Sequence, residues 1–205
     1  MIRGLYAITP DESDTARLMQ KVQAALDGGI HLLQYRNKIA DDALQLAQAS
    51  ALVNLCHSYQ VPLIINDSVA LCQQVNADGV HLGNSDTTIT EARRILGNNK
   101  MIGASCYNDL SLARHAKNTG ADYVAFGACF PSSTKPNAPR ATPELFTLCR
   151  NALNIPCVAI GGITAENASV VIHAGADAIA VINALFQADD IASTANTLTQ
   201  LFNID

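Results

Sequence analysis

The chain has 205 residues, enough for one domain of ordinary size. Its 18 acidic and 13 basic side chains leave a net charge of −5, which argues against a general nucleic-acid binder. It is 49% hydrophobic and 15% charged, so it can bury a sizeable core, and no run of about 18 uncharged apolar residues offers a membrane span.

The first strand-like run covers residues 4–8. Behind Arg3 there is no long apolar run before Pro10-Asp11-Glu12, so no signal peptide is expected. Further β-branched or aromatic runs follow at 30–35, 61–65, 79–82, 101–104, 123–126, 157–160 and 178–182. Between them the spacing predicts helices. Leu18, Val22, Ala25 and Leu26 share one helical face, Leu44 to Leu55 form a mostly interior stretch, and residues 191–202 make a closing helix. The expectation is eight strands and eight helices. Three junctions resemble one another: Asn76-Ala77-Asp78-Gly79, Gly120-Ala121-Asp122-Tyr123 and Gly175-Ala176-Asp177-Ala178. In each, a helix-ending Gly or Asn precedes a small residue and an Asp that lead into a strand. Gly28-Gly29-Ile30 is a looser copy.

Alternating strands and helices imply parallel pairing, and strand runs that are apolar throughout imply burial on both faces. Eight such units in about 200 residues fit an α/β fold, a (β/α)8 barrel forming a single domain over residues 1–205. An open doubly wound sheet would favour a Gly-x-Gly-x-x-Gly turn after the first strand; here that strand is followed by Thr9-Pro10-Asp11.

In a (β/α)8 barrel the site lies at the C-terminal ends of the strands. After the second run comes Gln34-Tyr35-Arg36-Asn37-Lys38, and strand alternation puts Gln34, Arg36 and Lys38 on one face. Two cations so spaced suit a diphosphate. The third run leads into Asn66-Asp67, and the fourth is followed by Gly83-Asn84-Ser85-Asp86. Two carboxylates on neighbouring strand ends suit Mg²⁺, although an Asp at such a place can instead cap a helix. The fifth run ends at Ser105. The sixth is followed by Pro131-Ser132-Ser133-Thr134-Lys135-Pro136, a polar loop able to close over phosphates. The seventh and eighth end in Gly161-Gly162-Ile163 and Ile182-Asn183, where this barrel commonly holds a phosphate. Of five histidines none has metal-ligand spacing; His81 lies on a strand, with a structural role expected. Six cysteines without a C-x-x-C pair read as reduced, buried thiols of a cytoplasmic protein, with Cys106 and Cys129 nearest the site loops.

Together these residues resemble the thiamine-phosphate synthase family. The resemblance is carried by Gln34-x-Arg36-x-Lys38, Asn66-Asp67, Ala77-Asp78-Gly79-Val80-His81-Leu82-Gly83, Ser105, Thr134-Lys135 and Ala159-Ile160-Gly161-Gly162-Ile163. It implies a (β/α)8 enzyme that displaces pyrophosphate from 4-amino-2-methyl-5-(diphosphooxymethyl)pyrimidine with the nitrogen of a thiazole phosphate, through a pyrimidine-stabilised carbocation. By matching motif, Gln34 and Asn66 would bind the aminopyrimidine. Arg36, Lys38, Ser105 and Lys135 would hold the pyrophosphate and act in catalysis. Asp67 and Asp86 would bind Mg²⁺, and Ser132, Thr134, Gly162, Ile182 and Asn183 would hold the thiazole phosphate. The chain departs from the family at Ser132 (usually Thr), Asn84 (usually Gln) and Asn183 (usually Ser). Its partners would be these small molecules, with no nucleic acid or membrane, and a homo-oligomer is left open. The rival readings are a thiazole tautomerase of the same family, a sugar-phosphate epimerase, and a non-catalytic ligand sensor on a retained barrel.

Overall fold

Eight parallel strands close on themselves in sequence order, β1 to β8, with β8 hydrogen-bonded back to β1. The computed structural model describes residues 2–131 and 140–203. The strands are β1 Gly4–Ile8, β2 Leu32–Tyr35, β3 Leu63–Asn66, β4 Gly79–Leu82, β5 Met101–Tyr107, β6 Tyr123–Phe126, β7 Cys157–Ile160 and β8 Ala178–Val181. The helices among the described residues are α1 Thr15–Asp27, α2 Asp42–Ser58, α3 Val69–Val75, α4 Ile89–Leu96, α5 Leu110–Asn118, α6 Pro143–Leu153, α7 Ala168–His173, α8 Asn183–Phe186 and α9 Ile191–Gln200. This is one helix more than the periodicity predicts. The single-turn α8 is too short to show a 3.6-residue pattern. β5 runs past Ser105 to Tyr107 through a register shift against β6.

The core has two shells. Inside the barrel, Tyr6, Ile8, Leu32, Ile64, Tyr123, Val158 and Ala180 pack together. The outward faces of the strands pack on the helices through a larger cluster that includes Leu33, Ile65, Val80, Phe126 and Phe146. Gly103 is required by the inner shell: a Cβ there would lie 2.1 Å from Cζ of Tyr123, so the glycine makes room for that ring.

The three similar junctions do one job at the N-terminal end of the barrel. Oδ2 of Asp78, Asp122 and Asp177 accepts the backbone N–H of Leu63, Ile102 and Cys157, at 2.8, 2.7 and 2.8 Å. Each Asp also donates its own N–H to the carbonyl of the same residue. The residue just before an even strand thereby locks the odd strand that precedes it. The looser fourth copy follows the same backbone rule, with His31 N–H donating to the Leu5 carbonyl. There the imidazole stands against Gly4 in place of a carboxylate. This end of such a barrel serves stability, while the opposite rim carries the chemistry.

Candidate active site

Strand parity places Gln34, Asn66, His81 and Ser105 on the inward face, in line with Leu32, Ile64 and Tyr123 of the inner core. Arg36 and Lys38 are reached differently from the expected shared strand face. β2 ends at Tyr35, so both cations stand in the loop beyond it. Two residues after β1 hold them. Thr9 Oγ1 donates to the Arg36 carbonyl at 2.8 Å and accepts the Arg36 N–H at 2.9 Å. Asp11 Oδ1 accepts from Arg36 Nη1 at 3.0 Å and from the Lys38 backbone N–H at 2.8 Å. A buried amide braces the same loop. Gln48 Oε1 accepts from Tyr35 OH and Asn37 Nδ2, and its Nε2 donates to the Glu12 carbonyl. Sequence reading missed Thr9, Asp11 and Gln48. Arg36, Lys38, Asn66 and Asp67 line an open cleft of about 250 Å³ between the β2 and β3 ends.

Asp67 and Asp86 come together above β3 and β4. Asp86 is near enough to Asp67 to raise its carboxyl. Asp67 adopts a left-handed backbone, φ +63°, a conformation that Asp tolerates better than most residues. Its N–H donates to the His81 carbonyl at 2.8 Å. Asp86 Oδ2 accepts the Gly83 N–H at 2.7 Å. Burial, followed by the neighbouring Asp86, raises the Asp67 carboxyl above the usual range, against the pull of Lys38, whose Nζ stands 3.5 Å from Asp67 Oδ2. Neither Asp caps a helix. Ser68 caps α3 and Thr88 caps α4, each accepting a backbone N–H of the first turn. Neither carboxylate is engaged in capping a helix, and two neighbouring carboxylates make a shared cation favourable. No third His, Cys, Asp or Glu joins them among the described residues. Two hard oxygens of this kind fit Mg²⁺, which fills the rest of its octahedron with water and phosphate oxygens.

A buried polar chain crosses the barrel beneath this rim. Gln34 Nε2 lies 2.8 Å from Tyr6 OH, Tyr6 OH 2.9 Å from Tyr123 OH, Tyr123 OH 3.1 Å from His81 Nδ1, and His81 Nε2 3.0 Å from Ser105 Oγ. His81 stacks on Tyr123 with ring centroids 5.5 Å apart. Burial pushes the imidazole down to about 4, so it is neutral at neutral pH, and burial raises both tyrosines far enough to keep them protonated. Among the described residues no buried side-chain nitrogen or oxygen lacks a partner. His81 thus has the satisfied interior position expected for it. Tyr6 and Tyr123 were not singled out, although their inward parity was there to be read.

On the far side of the rim, Gly161 and Gly162 follow β7 with φ +98° and +65°. A Cβ on Gly162 would stand 2.4 Å from the Pro131 carbonyl oxygen, so only glycine lets the two loops approach. Asn167 fixes this turn: its Nδ2 donates to the Gly162 carbonyl and its Oδ1 accepts the Thr164 N–H. Ile182 precedes α8 and Asn183 begins it, both half-buried directly beyond β8. Ser132, Thr134 and Lys135, and the loop closure expected of residues 132–135, lie outside the described residues. All six cysteines are free and buried. Burial pushes the Cys106 thiol up to about 12 and that of Cys129 up to about 11, which argues against either as a nucleophile.

Residues 5–185 match the thiamine monophosphate synthase family. The chain belongs to this family. A thiamine-phosphate synthase of Methylobacillus flagellatus is 59% identical over 202 residues, spanning 98% of this chain and 96% of the relative. One from Thiobacillus denitrificans is 52% identical over 199 residues, 97% and 94% of the two chains. Among solved structures, thiamine phosphate pyrophosphorylase from Pyrococcus furiosus superposes with a TM-score of 0.87 at 34% identity, covering 98% of this chain and 95% of that one. An orotidine 5'-phosphate decarboxylase from Pyrococcus horikoshii, at 14% identity and a TM-score of 0.71, shares the fold alone. Membership in the thiamine monophosphate synthase family agrees with the closed barrel. Among the described residues no helix is long and apolar enough to cross a membrane.

Proposed function

We propose that the chain is a transferase that forms thiamine phosphate. The nitrogen of a thiazole phosphate displaces pyrophosphate from 4-amino-2-methyl-5-(diphosphooxymethyl)pyrimidine. The observation that carries the reading is the meeting, at one sector of the rim, of the Asn66 amide, two cations and a carboxylate with a second beside it. Gln34 and Asn66 offer donor and acceptor groups to the pyrimidine edge. Arg36 and Lys38, with Ser105 and, by family motif, Lys135, hold the diphosphate. Asp67 and Asp86 would hold Mg²⁺, which would supply positive charge against the leaving pyrophosphate. Gly162, Ile182 and Asn183, with Ser132 and Thr134 by motif, receive the thiazole phosphate. Catalysis is then positioning plus electrostatic stabilisation, and no covalent enzyme intermediate is needed. Arg36 is pre-aimed by Thr9 and Asp11, so little of its freedom is lost on binding. Small charged substrates free in solution suit a cytoplasmic enzyme.

The test is incubation of the purified chain with both substrates and Mg²⁺, reading thiamine phosphate and pyrophosphate together. Formation of both in equal amounts is expected. Isomerisation of a thiazole without coupling would identify a tautomerase instead, and binding without turnover a sensor.

A further inference from the structure

We infer that Tyr6, Tyr123 and His81 are positioning residues that order a chain of hydrogen bonds across the barrel and so make Ser105 a hydrogen-bond donor toward the rim. The inference rests on the proposed function only in the identity of the group that receives the Ser105 proton, an oxygen of the diphosphate.

The argument is a count of protons. The Gln34 nitrogen facing Tyr6 has no lone pair to offer, so it donates and Tyr6 accepts. Either hydroxyl could donate across the Tyr6–Tyr123 contact, but Tyr6 OH has no other acceptor among the described residues, so only donation to Tyr123 gives every buried O–H proton a partner. Tyr123 in turn has one proton, which goes to His81 Nδ1. A neutral imidazole that accepts at Nδ1 carries its hydrogen on Nε2, and Nε2 faces Ser105 Oγ. Ser105 therefore accepts from His81, and its own proton is left to point elsewhere. Anions need donors, and this arrangement supplies one. Turning the Gln34 amide over would reverse every bond. Ser105 would then donate inward to His81 and present lone pairs, the wrong polarity for a phosphate. No proton is transferred along the chain; only the direction of each dipole is set. Such chains polarise one another, so a break at the far end is felt at Ser105. Gln34, at the other end, is the residue proposed to meet the pyrimidine. The chain thus couples recognition of the heterocycle to the polarity offered to its diphosphate.

The test is a double-mutant cycle between residues that do not touch. Single-turnover rates are measured with both substrates and Mg²⁺ for wild type, Tyr6→Phe, Ser105→Ala and the double variant. Tyr6→Phe should slow the step about tenfold with little change in the KM for the thiazole phosphate, and once Ser105 is Ala should leave only the smaller loss that comes from freeing the Gln34 amide. An equal slowing in both backgrounds, as a packing defect would give, overturns the relay. The wild-type protein offers a second measurement that needs no variant to fold. Nitrogen NMR of His81 should show a neutral ring with its hydrogen on Nε2, and a hydrogen on Nδ1 overturns the proposal. Failure of the functional reading appears separately, as wild-type protein that makes no thiamine phosphate, and the ring tautomer still decides the relay.

Discussion

The Thr9 hydroxyl holds the backbone of Arg36 at both ends, donating to its carbonyl at 2.8 Å and accepting its N–H at 2.9 Å. This ties the exit of β1 to a cation that lies past the end of β2. A β-branched side chain with a hydroxyl can do this; Val has the same shape and no hydroxyl. Thr9→Val leaves a partly buried N–H and carbonyl unpaired, which costs about 1–3 kcal/mol. The expected result is a lower Tm together with a raised KM for the pyrimidine diphosphate, and Thr9→Ser should recover most of both. Arg36→Ala should cost more in rate, about 10²-fold, because it removes the charge itself. Thermal melting with steady-state kinetics on the three variants checks the order.

The carboxylate pair separates from the helix caps in the same way. Asp67 and Asp86 are electrostatic neighbours, while Ser68 and Thr88 do the capping. Asp67→Asn keeps the shape and removes one charge, so the variant should melt normally, need more Mg²⁺ for half-maximal activity, and turn over more slowly. Ser68→Ala should do the reverse. It loses about 1 kcal/mol of stability with the Mg²⁺ requirement unchanged. A Mg²⁺ titration of activity beside a melting curve distinguishes the two. An Asp67→Asn protein with an unchanged Mg²⁺ requirement would remove Asp67 from the metal site.

How much of this was legible in the sequence depends on whether a contact is local. The bounds of β1, β4, β6 and β7 follow from apolar runs closed by turn residues. Inward parity, once the strands are known, places Gln34, Asn66 and Ser105. The alternation argument fails one residue later, because β2 stops at Tyr35 and alternation means nothing in a loop. What orients Arg36 and Lys38 is Asp11, more than twenty positions earlier, and no periodicity announces it. The Tyr6–Tyr123 bond spans 117 residues and exists only because the barrel closes. The repeated Asp was visible as a pattern, but its task of binding the preceding strand was not. Its fourth member, His31, is hidden by a change of residue type.

That repeated lock gives a prediction at the end of the barrel away from the rim. Asp177 Oδ2 accepts the Cys157 N–H, and the Asp177 N–H returns a bond to the Cys157 carbonyl. Asp177→Ala keeps the backbone bond and leaves the Cys157 N–H without its acceptor, at a cost of about 1–3 kcal/mol. kcat should stay within about twofold of wild type, because this end of the barrel serves stability. Denaturant unfolding paired with turnover tests it, and a large loss of kcat in a well-folded variant would show that the two ends are coupled.

Acid stability should depend on Glu12, which stands behind the loop that carries Thr9 and Asp11. Its carboxyl accepts the Asp14 N–H at 3.1 Å and lies 3.5 Å from Lys21 Nζ and 3.8 Å from Arg17 Nη1. The Asp14 N–H first, with help from Arg17 and Lys21, holds Glu12 below its ordinary value of 4.5. The sign follows from proton binding. Below about 4.5 the unfolded chain takes up a proton at Glu12 before the folded one does. The stabilisation is therefore complete above that pH and is lost as pH falls through the folded value. Glu12→Gln cannot titrate and should flatten this part of the curve. Its Tm should lie below wild type near neutral pH and converge with it in acid. Melting curves of both proteins between about pH 7 and about pH 3 decide the point. Two parallel curves over that window would mean that the Glu12 contacts to Asp14, Arg17 and Lys21 hold no charge-dependent share of the fold.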